Sequence, residues 1–135
     1  MMRLCIVVEA SLPPGQAANI AACIAAGLAG ARPGLASQPL RDAAGFESLG
    51  SSSLPIAVLS THGAGFAPLL QSLKQRPPEA SCVIFPRYAQ AMHSAAEYWE
   101  RHAATDHMAE PMLGIGLAGP PAWVRRLTGA LPLLR

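Results

Sequence analysis

Apolar runs alternate along this chain with segments of helical periodicity, a pattern that indicates an α/β protein. Residues 4–8 are five consecutive apolar residues, and largely apolar runs recur at residues 54–59, 81–85 and 112–117. Short continuous apolar runs are typical of strands that are covered on both faces. The pattern therefore predicts four core strands with helices between them.

The segments between these runs predict four helices. In residues 15–30, Ile20, Ile24 and Leu28 are four residues apart within an Ala-rich stretch, which predicts a helix with one buried face. Further helices are predicted over residues 68–76, from Tyr88 to about Ala104, and over residues 121–128, two of them opened by a proline in the first turn. The apolar face of the third helix is expected to consist of Met92, Ala95, Ala96 and Trp99.

Two segments have no clear period. Residues 31–53 mix Gly, Pro, Ser and Ala. Because a structureless loop of more than about 20 residues is unusual in a compact domain, we expect short strands near residues 35–40 and 46–49 around a turn at residues 42–45. The apolar end of the chain, residues 131–134, must be covered, and we expect a partner subunit to cover it together with the thin Ala-rich first helix.

Charge is scarce along the whole sequence. Of the 135 residues, 51% are hydrophobic and only 13% carry a formal charge, about half of the ~25% that is usual in soluble domains. A chain of this length and apolarity folds as one domain with a single core, so we expect one domain over residues 1–135. A surface so poor in charge favours self-association, and we expect a homodimer.

Composition also argues against several partners. The formal net charge is +2 and the ten basic residues are scattered, so no nucleic-acid partner is expected. No apolar run approaches the roughly 18 to 20 residues of a membrane span. Cys5, Cys23 and Cys82 form no CxxC pair, which indicates reduced, buried thiols in a cytoplasmic protein. We expect neither a metal site nor a cofactor.

The glycines Gly114, Gly116 and Gly119 match the spacing GxGxxG after a predicted strand. A dinucleotide-binding unit requires a further strand and an acidic residue about 20 positions later. Only 16 residues follow Gly119, and none of them is acidic. We therefore interpret these glycines as sites of a tight bend and of close strand packing.

Polar side chains follow three of the predicted strands. Glu9 and Ser11 come after the first strand, residues 60–62 (Ser-Thr-His) end the second, and Arg87 comes after the third. In open α/β sheets, ligands bind at the carboxyl ends of parallel strands, so these residues form a candidate site. The alternative is that strand ends meet solvent and polar residues follow for that reason alone.

Two stretches of the chain carry a family resemblance. Gly15-Gln16 opens the Ala-rich helix that contains Asn19, and residues 113–116, Gly119-Pro120 and residues 127–129 follow in order near the other end. Together they resemble the type-two peptidyl-tRNA hydrolases. The whole chain is also similar to a family of small uncharacterised bacterial proteins, through residues 12–14, Asn19, residues 54–56 and residues 127–135.

The resemblance implies a three-layer α/β/α fold of the peptidyl-tRNA hydrolase type-two kind. It implies a mixed four-stranded sheet with the last strand antiparallel to its neighbour, and a homodimer. The hydrolases carry a Lys where this chain has Gln16, and an Asp-Ala-Gly segment where this chain has Pro86-Arg87. They also carry a His later in the first helix, where this chain has only residues 22–24 (Ala-Cys-Ile). An amide cannot supply the charge of an ammonium, so the resemblance implies the fold more strongly than the hydrolase reaction.

Three functional hypotheses follow. The first is a small-ligand or anion-binding module without catalysis, whose crevice would consist of Gln16, Asn19, Thr61, His62, Arg87 and Thr128. The second is an ester hydrolase acting on a peptidyl or aminoacyl RNA or a small ester, with His62 as general base and the backbone of residues 63–65 holding the oxyanion. The third is a homodimeric interaction protein with no ligand.

Overall fold

The computed structural model describes all of residues 1–135. Its six strands are β1 (Arg3–Glu9), β2 (Pro39–Arg41), β3 (Glu47–Leu49), β4 (Ile56–Thr61), β5 (Ser81–Pro86) and β6 (Met112–Gly119). Its four α-helices are α1 (Pro14–Gly30), α2 (Phe66–Lys74), α3 (Ala95–Ala103) and α4 (Pro121–Thr128). This order of strands and helices confirms the α/β class.

The core is a four-stranded sheet in the order β4-β1-β6-β5. Strand β4 is parallel to β1, whereas β6 is antiparallel to both β1 and β5. Strands β1, β4 and β5 therefore run in the same direction, and their carboxyl ends lie at the same end of the sheet. The expectation of a mixed four-stranded sheet whose last strand is antiparallel is confirmed.

Helices cover both faces of this sheet, as the alternation of side chains along a strand requires. Ile20, Ile24 and Leu28 of α1 pack on one face, against Ile6 and Val8 of β1 among others. Helices α2 and α4 pack on the opposite face, where the core is made by a second set of residues: Cys5, Val7, Phe66, Leu69, Ile115 and Val124. The result is a layer of helix on each side of the sheet.

The glycines of β6 allow α1 to approach the sheet closely. A Cβ atom added at Gly114 would lie 2.8 Å from Ile24 Cδ1, and one added at Gly116 would lie 2.2 Å from Ile24 Cγ2. Both glycines lie inside the strand, not in a phosphate-binding loop. The interpretation of the GxGxxG spacing as close packing is confirmed.

The segment between α1 and β4 forms the small hairpin that the sequence predicts. Strand β2 pairs antiparallel with β3 around a turn in which the Asp42 carboxylate accepts hydrogen bonds from the backbone N–H groups of Ala44 and Phe46, at 2.8 and 2.9 Å. Gly45, in this turn, has φ +88°, which a glycine adopts without steric cost. The hairpin belongs to a separate two-stranded sheet, and every residue of its strands is exposed.

The tail runs along β4 of its own chain, where Ser60 N–H donates to Pro132 O at 2.9 Å and Leu134 N–H donates to Val58 O at 3.0 Å. These bonds cover the backbone of that edge, whereas the Leu133 side chain is 56% exposed. The expectation that all three thiols are buried needs correction. Cys23 is exposed, although Cys5 is buried and Cys82 is half-buried.

The helix predicted from Tyr88 to Ala104 is two elements. A 3₁₀ turn covers Arg87–Ala91, the chain is extended at Met92 and Ser94, and α3 begins at Ala95. The Ser94 hydroxyl caps α3 by accepting from Glu97 N–H at 3.1 Å. Trp99 is 67% exposed, so the predicted apolar face is wrong. No helix of the chain combines the length and apolarity that crossing a membrane requires.

Candidate functional site

The carboxyl ends of β1 and β4 bring Glu9 and Thr61 together, since these residues are register partners in the parallel pair. Glu9 and Thr61 alternate in step with Val7 and Leu59, which lie in the α2–α4 core. Their side chains therefore lie on that face of the sheet. His62 follows directly and begins the 3₁₀ turn Gly63–Gly65 that leads into α2.

Glu9 is a buried carboxylate, only 7% exposed. Its Oε2 atom accepts a hydrogen bond from the Ser11 N–H at 2.5 Å and another from the Ser11 hydroxyl. These two bonds hold the pKa of Glu9 below its ordinary value, and His62 and the Gly63 N–H lower it further against the opposing effect of burial. Glu9 is therefore anionic at neutral pH.

His62 lies beside this carboxylate with most of its ring in solvent. Its Nδ1 atom is 4.0 Å from Glu9 Oε1, and its side chain is 84% exposed. That distance is too long for a hydrogen bond but short enough for attraction between an imidazolium and the carboxylate. Gly65 ends this turn and lies against the end of β4. Only a glycine fits there, because a Cβ atom would lie 2.0 Å from Thr61 Oγ1.

The turn after His62 offers less of an oxyanion site than the sequence suggested. The Gly65 N–H donates to His62 O at 2.7 Å, so it is not available to an oxyanion. Esterases stabilise the oxyanion with a pair of backbone N–H groups. In this turn such a pair would have to come from Gly63 and Ala64.

The other predicted crevice residues lie elsewhere. Gln16 and Asn19 are exposed on α1, which packs on the opposite face of the sheet from Glu9. The side-chain oxygen of Gln16, Oε1, accepts a hydrogen bond from Gln90 Nε2 at 3.4 Å. Arg87 follows β5, at the far edge of the sheet from β4. With neighbouring strands about 4.8 Å apart, the ends of β4 and β5 are separated by about 14 Å. These residues do not form one crevice.

Thr128 is also separate from the strand ends. It is buried at the end of α4, and its hydroxyl donates to Val124 O at 2.7 Å. Burial raises the pKa of the Cys5 thiol, four residues before the end of β1, and the neighbouring Thr128 acts against this effect. The Thr128 hydroxyl is therefore used within α4 and not at the strand ends.

A second candidate site, which the sequence did not reveal, is a cavity between α2, β5 and α3, here called the α2–α3 cavity. Its volume is about 560 Å³, within the range of roughly 300 to 1,000 Å³ that is typical of ligand pockets. Three quarters of the lining residues are hydrophobic. The lining consists of Leu70, Leu73, Lys74, Arg76, Cys82, Val83, Ile84, Tyr98, Trp99, His102, Ala103 and Met108.

The polar groups of this cavity are few. Lys74 and Arg76 are exposed cations at the end of α2, and the half-buried His102 has a buried Nδ1 atom with no hydrogen-bond partner. Burial raises the pKa of the Cys82 thiol, although the charge of Arg76 acts against this, so the thiol stays neutral. No acidic residue lines the cavity.

An aromatic cluster stands behind His102. The His102 and His107 rings lie 4.1 Å apart, and the Tyr88 hydroxyl is 2.6 Å from His107 Nε2. The Arg101 guanidinium lies 4.5 Å from the centre of the Tyr88 ring. Burial lowers the pKa of His107, and the neighbouring His102 lowers it further, with Glu110 and Asp106 acting in the opposite direction. The cluster fixes one wall of the cavity.

The sequence pattern does not reveal this cavity, for a local reason. It depends on the face that α3 presents, and that face was predicted wrongly. The segment Ser94-Ala95-Ala96-Glu97 has the S-x-x-E spacing of a capping box, which marks the true start of α3. Beginning the helix there places Tyr98 and His102, four residues apart, on one face.

The chain has no cluster of three or more His, Cys, Asp or Glu side chains that could hold a metal ion. The fold is similar to the solved structure of a protein of unknown function from Agrobacterium tumefaciens strain C58. The TM-score is 0.87 and the identity 19%, over 98% of this chain and 96% of that chain. No curated protein matches the sequence. A model of the family described as "Protein of unknown function (DUF2000)" matches residues 2–135, and the chain therefore belongs to this family.

Proposed function

We propose that the protein is a binding module for a small, largely apolar molecule, which occupies the α2–α3 cavity. The observation that carries the proposal is a cavity of about 560 Å³ whose lining is mostly apolar and includes the nitrogen-bearing residues Lys74, Arg76 and His102. This combination is the usual character of a ligand pocket. The proposal keeps the binding hypothesis drawn from the sequence and moves its site from the strand ends to α2 and α3.

Two features of the cavity support a ligand in particular. Tyr98 and Trp99 present aromatic surface to the cavity, and Trp99 is largely exposed; large aromatic side chains contribute strongly to binding when a ligand covers them. Lys74 and Arg76 supply hydrogen-bond donors to the lining, and the ion pairs of the chain do not involve them.

A thermal-shift screen of small carboxylates, alcohols, esters and aromatic molecules tests the proposal. A ligand at 100 times its Kd stabilises the folded state by about 2.7 kcal/mol. Ala103→Phe fills the cavity from α3, so it should abolish the shift. Ala96→Phe is the matched control, because Ala96 is exposed on the same helix and does not line the cavity.

The outcome of the screen is decisive when the two variants are compared. A hit that Ala103→Phe abolishes and Ala96→Phe retains supports the α2–α3 cavity. A hit that both variants retain would place the ligand elsewhere. A screen without any hit would remove the binding function and leave the interaction protein.

A second candidate function is ester hydrolysis at His62, favoured by the Glu9–His62 pair. Glu9 is anionic and lies 4.0 Å from the imidazole, so it would stabilise the imidazolium that forms when His62 takes a proton. In the proposed step, water attacks the ester carbonyl carbon while His62 accepts the proton. The same proton then leaves with the alkoxide as the carbon–oxygen bond breaks.

Hydrolysis of p-nitrophenyl acetate and of a peptidyl-tRNA tests this candidate. His62→Ala should lower the rate about 100-fold if His62 is a general base, and Glu9→Gln should lower it less. His93→Ala controls for background hydrolysis by an exposed imidazole. Equal rates in wild type, His62→Ala and His93→Ala would exclude the reaction.

We also propose that the fold is of the type-two peptidyl-tRNA hydrolase kind. The mixed four-stranded sheet with its antiparallel last strand supports it. Gln16 stands where those enzymes have a Lys and is exposed beside Gln90. The proposed protein therefore has a hydrolase-like fold but lacks residues that the type-two enzymes use to hydrolyse peptidyl-tRNA. We propose that it is cytoplasmic.

A further inference from the structure

The charged side chains that line the α2–α3 cavity are all positive. Lys74 and Arg76 line it and carry positive charge, whereas no Asp or Glu does so. The ion pairs of the chain join Arg41 to Glu47 and His62 to Glu9. Lys74 and Arg76 are therefore not neutralised by a carboxylate of this protein.

The end of α2 holds these cations in place. Arg76 Nη1 donates to Leu73 O at 2.9 Å, and the Arg76 backbone N–H donates to the same oxygen at 3.3 Å, which holds Arg76 against the end of α2. The Nη1 bond uses one of the five N–H groups that a guanidinium offers, so the others can bind a ligand. Lys74 lies in the last turn of the same helix, and its ammonium has three donors and no partner in the chain.

Most of the remaining lining is apolar. Leu70, Leu73, Ile84 and Met108 supply aliphatic and thioether surface, and the Cys82 thiol is kept neutral by burial. A molecule that fits is therefore mostly hydrocarbon. Its polar part is expected to be an acceptor, because the two charged side chains of the lining, Lys74 and Arg76, offer only donors.

We propose, on the basis of the proposed binding function, that the ligand is an apolar carboxylic acid in its anionic form. The hydrocarbon part packs between α2 and α3, and the carboxylate pairs with Lys74 and Arg76 at the mouth of the cavity. Arg and Lys form charge-assisted hydrogen bonds with carboxylates. The single sign of charge excludes amines as ligands.

Isothermal titration calorimetry with three eight-carbon probes, octanoate, octan-1-ol and octylamine, tests this inference at pH 7.5. The probes share one hydrocarbon chain and differ in the charge of the head group. Octanoate should bind about tenfold more tightly than octan-1-ol, because hydrogen bonds to charged groups contribute a factor of this size. Octylamine should bind most weakly.

Two charge variants assign the preference to the cations of α2. Lys74→Gln and Arg76→Gln should each reduce the octanoate preference and leave the affinity for octan-1-ol within about twofold. Arg126→Gln, an exposed cation on α4, is the matched control and should change neither affinity. The Arg76 side chain also bonds to the end of α2, so Lys74→Gln retains the test if Arg76→Gln does not fold.

The outcomes separate this inference from the proposed function. Equal affinity for octanoate and octan-1-ol, abolished by Ala103→Phe, would overturn the carboxylate and leave the binding function. A preference for octanoate that both charge variants retain would overturn the role of the α2 cations. No binding of any probe, together with a screen without hits, would overturn both.

Discussion

At the scale of single residues, Glu9 shows what sequence patterns reveal and what they omit. Its position at the end of an apolar run marked it, with Ser11 and His62, as part of a polar strand end. The hydrogen bonds from Ser11 are local and join residues two positions apart. The contact with His62 depends on the parallel register of β1 and β4, which no local pattern contains.

Glu9→Gln should destabilise the protein at neutral pH and not in acid. The pKa of Glu9 is lowered from its ordinary value of 4.5 by the Ser11 hydrogen bonds. Its contribution is therefore fully present above pH 4.5 and is lost as the pH falls through the lowered folded-state pKa. We expect a loss of about 1 to 3 kcal/mol in the free energy of unfolding at pH 7, measured by urea denaturation.

The pH dependence separates a charge effect from a packing effect. The difference between wild type and Glu9→Gln should shrink as the pH falls below 4.5, and Glu100→Gln, at an exposed position of α3, should change little at either pH. If Glu9→Gln costs the same free energy at pH 3 as at pH 7, the carboxylate charge does not stabilise the fold.

At the scale of elements, periodicity predicted the buried strands and α1 well because their burial is one-sided or complete. Residues of β1 and β6 are almost all buried. Each strand is therefore a continuous apolar run in the sequence, which is easily recognised. Helix α3 differs, since it has no fully buried residue and packs through half-buried Tyr98 and His102. Its amphipathic face is polar and aromatic, and a search for aliphatic stripes selects the exposed Trp99 instead.

The contact between α1 and β6 predicts a strong response to a small change. Gly116→Ala would place a Cβ atom 2.2 Å from Ile24 Cγ2 and 3.1 Å from Leu28 Cδ1, so the helix must move or the side chains must leave their rotamers. Overpacking of this kind costs about 1 to 3 kcal/mol. We expect urea denaturation to show that loss.

Gly30→Ala is the matched control for this prediction. Gly30 ends α1, and a Cβ atom added there meets nothing within 4 Å. Alanine at an unstrained helical position raises stability by about 0.4 to 1 kcal/mol. If Gly116→Ala were as stable as Gly30→Ala, the glycines of β6 would not be needed for close packing.

At the scale of the whole molecule, strand order decides which residues can share a site. The order β4-β1-β6-β5 places His62 and Arg87 at opposite edges of the sheet, although both follow strands that run in the same direction. The same order makes β5 an edge strand with room beside it for α3, which creates the α2–α3 cavity. The resemblance implied one antiparallel strand, but the sequence pattern does not predict that β1 pairs with both β4 and β6.

The β2–β3 hairpin carries three of the seven large hydrophobic side chains that are exposed. Leu40, Phe46 and Leu49 are 49%, 69% and 66% exposed, and an isolated two-stranded hairpin is marginally stable in water. The tail backbone pairs with β4 and the buried face of α1 packs on the sheet, which leaves Leu133 as the exposed large side chain of the tail. The homodimer expected from the scarcity of charge is therefore best placed at the hairpin.

Sedimentation velocity at micromolar concentration should show a dimer. Phe46→Ser should shift it to a monomer with an unchanged circular dichroism spectrum, because the hairpin contributes no residue to the core between sheet and helices. Trp99→Ser removes another large exposed side chain, away from the hairpin, and should leave the dimer intact. Dissociation by Trp99→Ser but not by Phe46→Ser would move the interface to α3, where a second subunit would close the α2–α3 cavity. A wild-type monomer would contradict the dimer at any site.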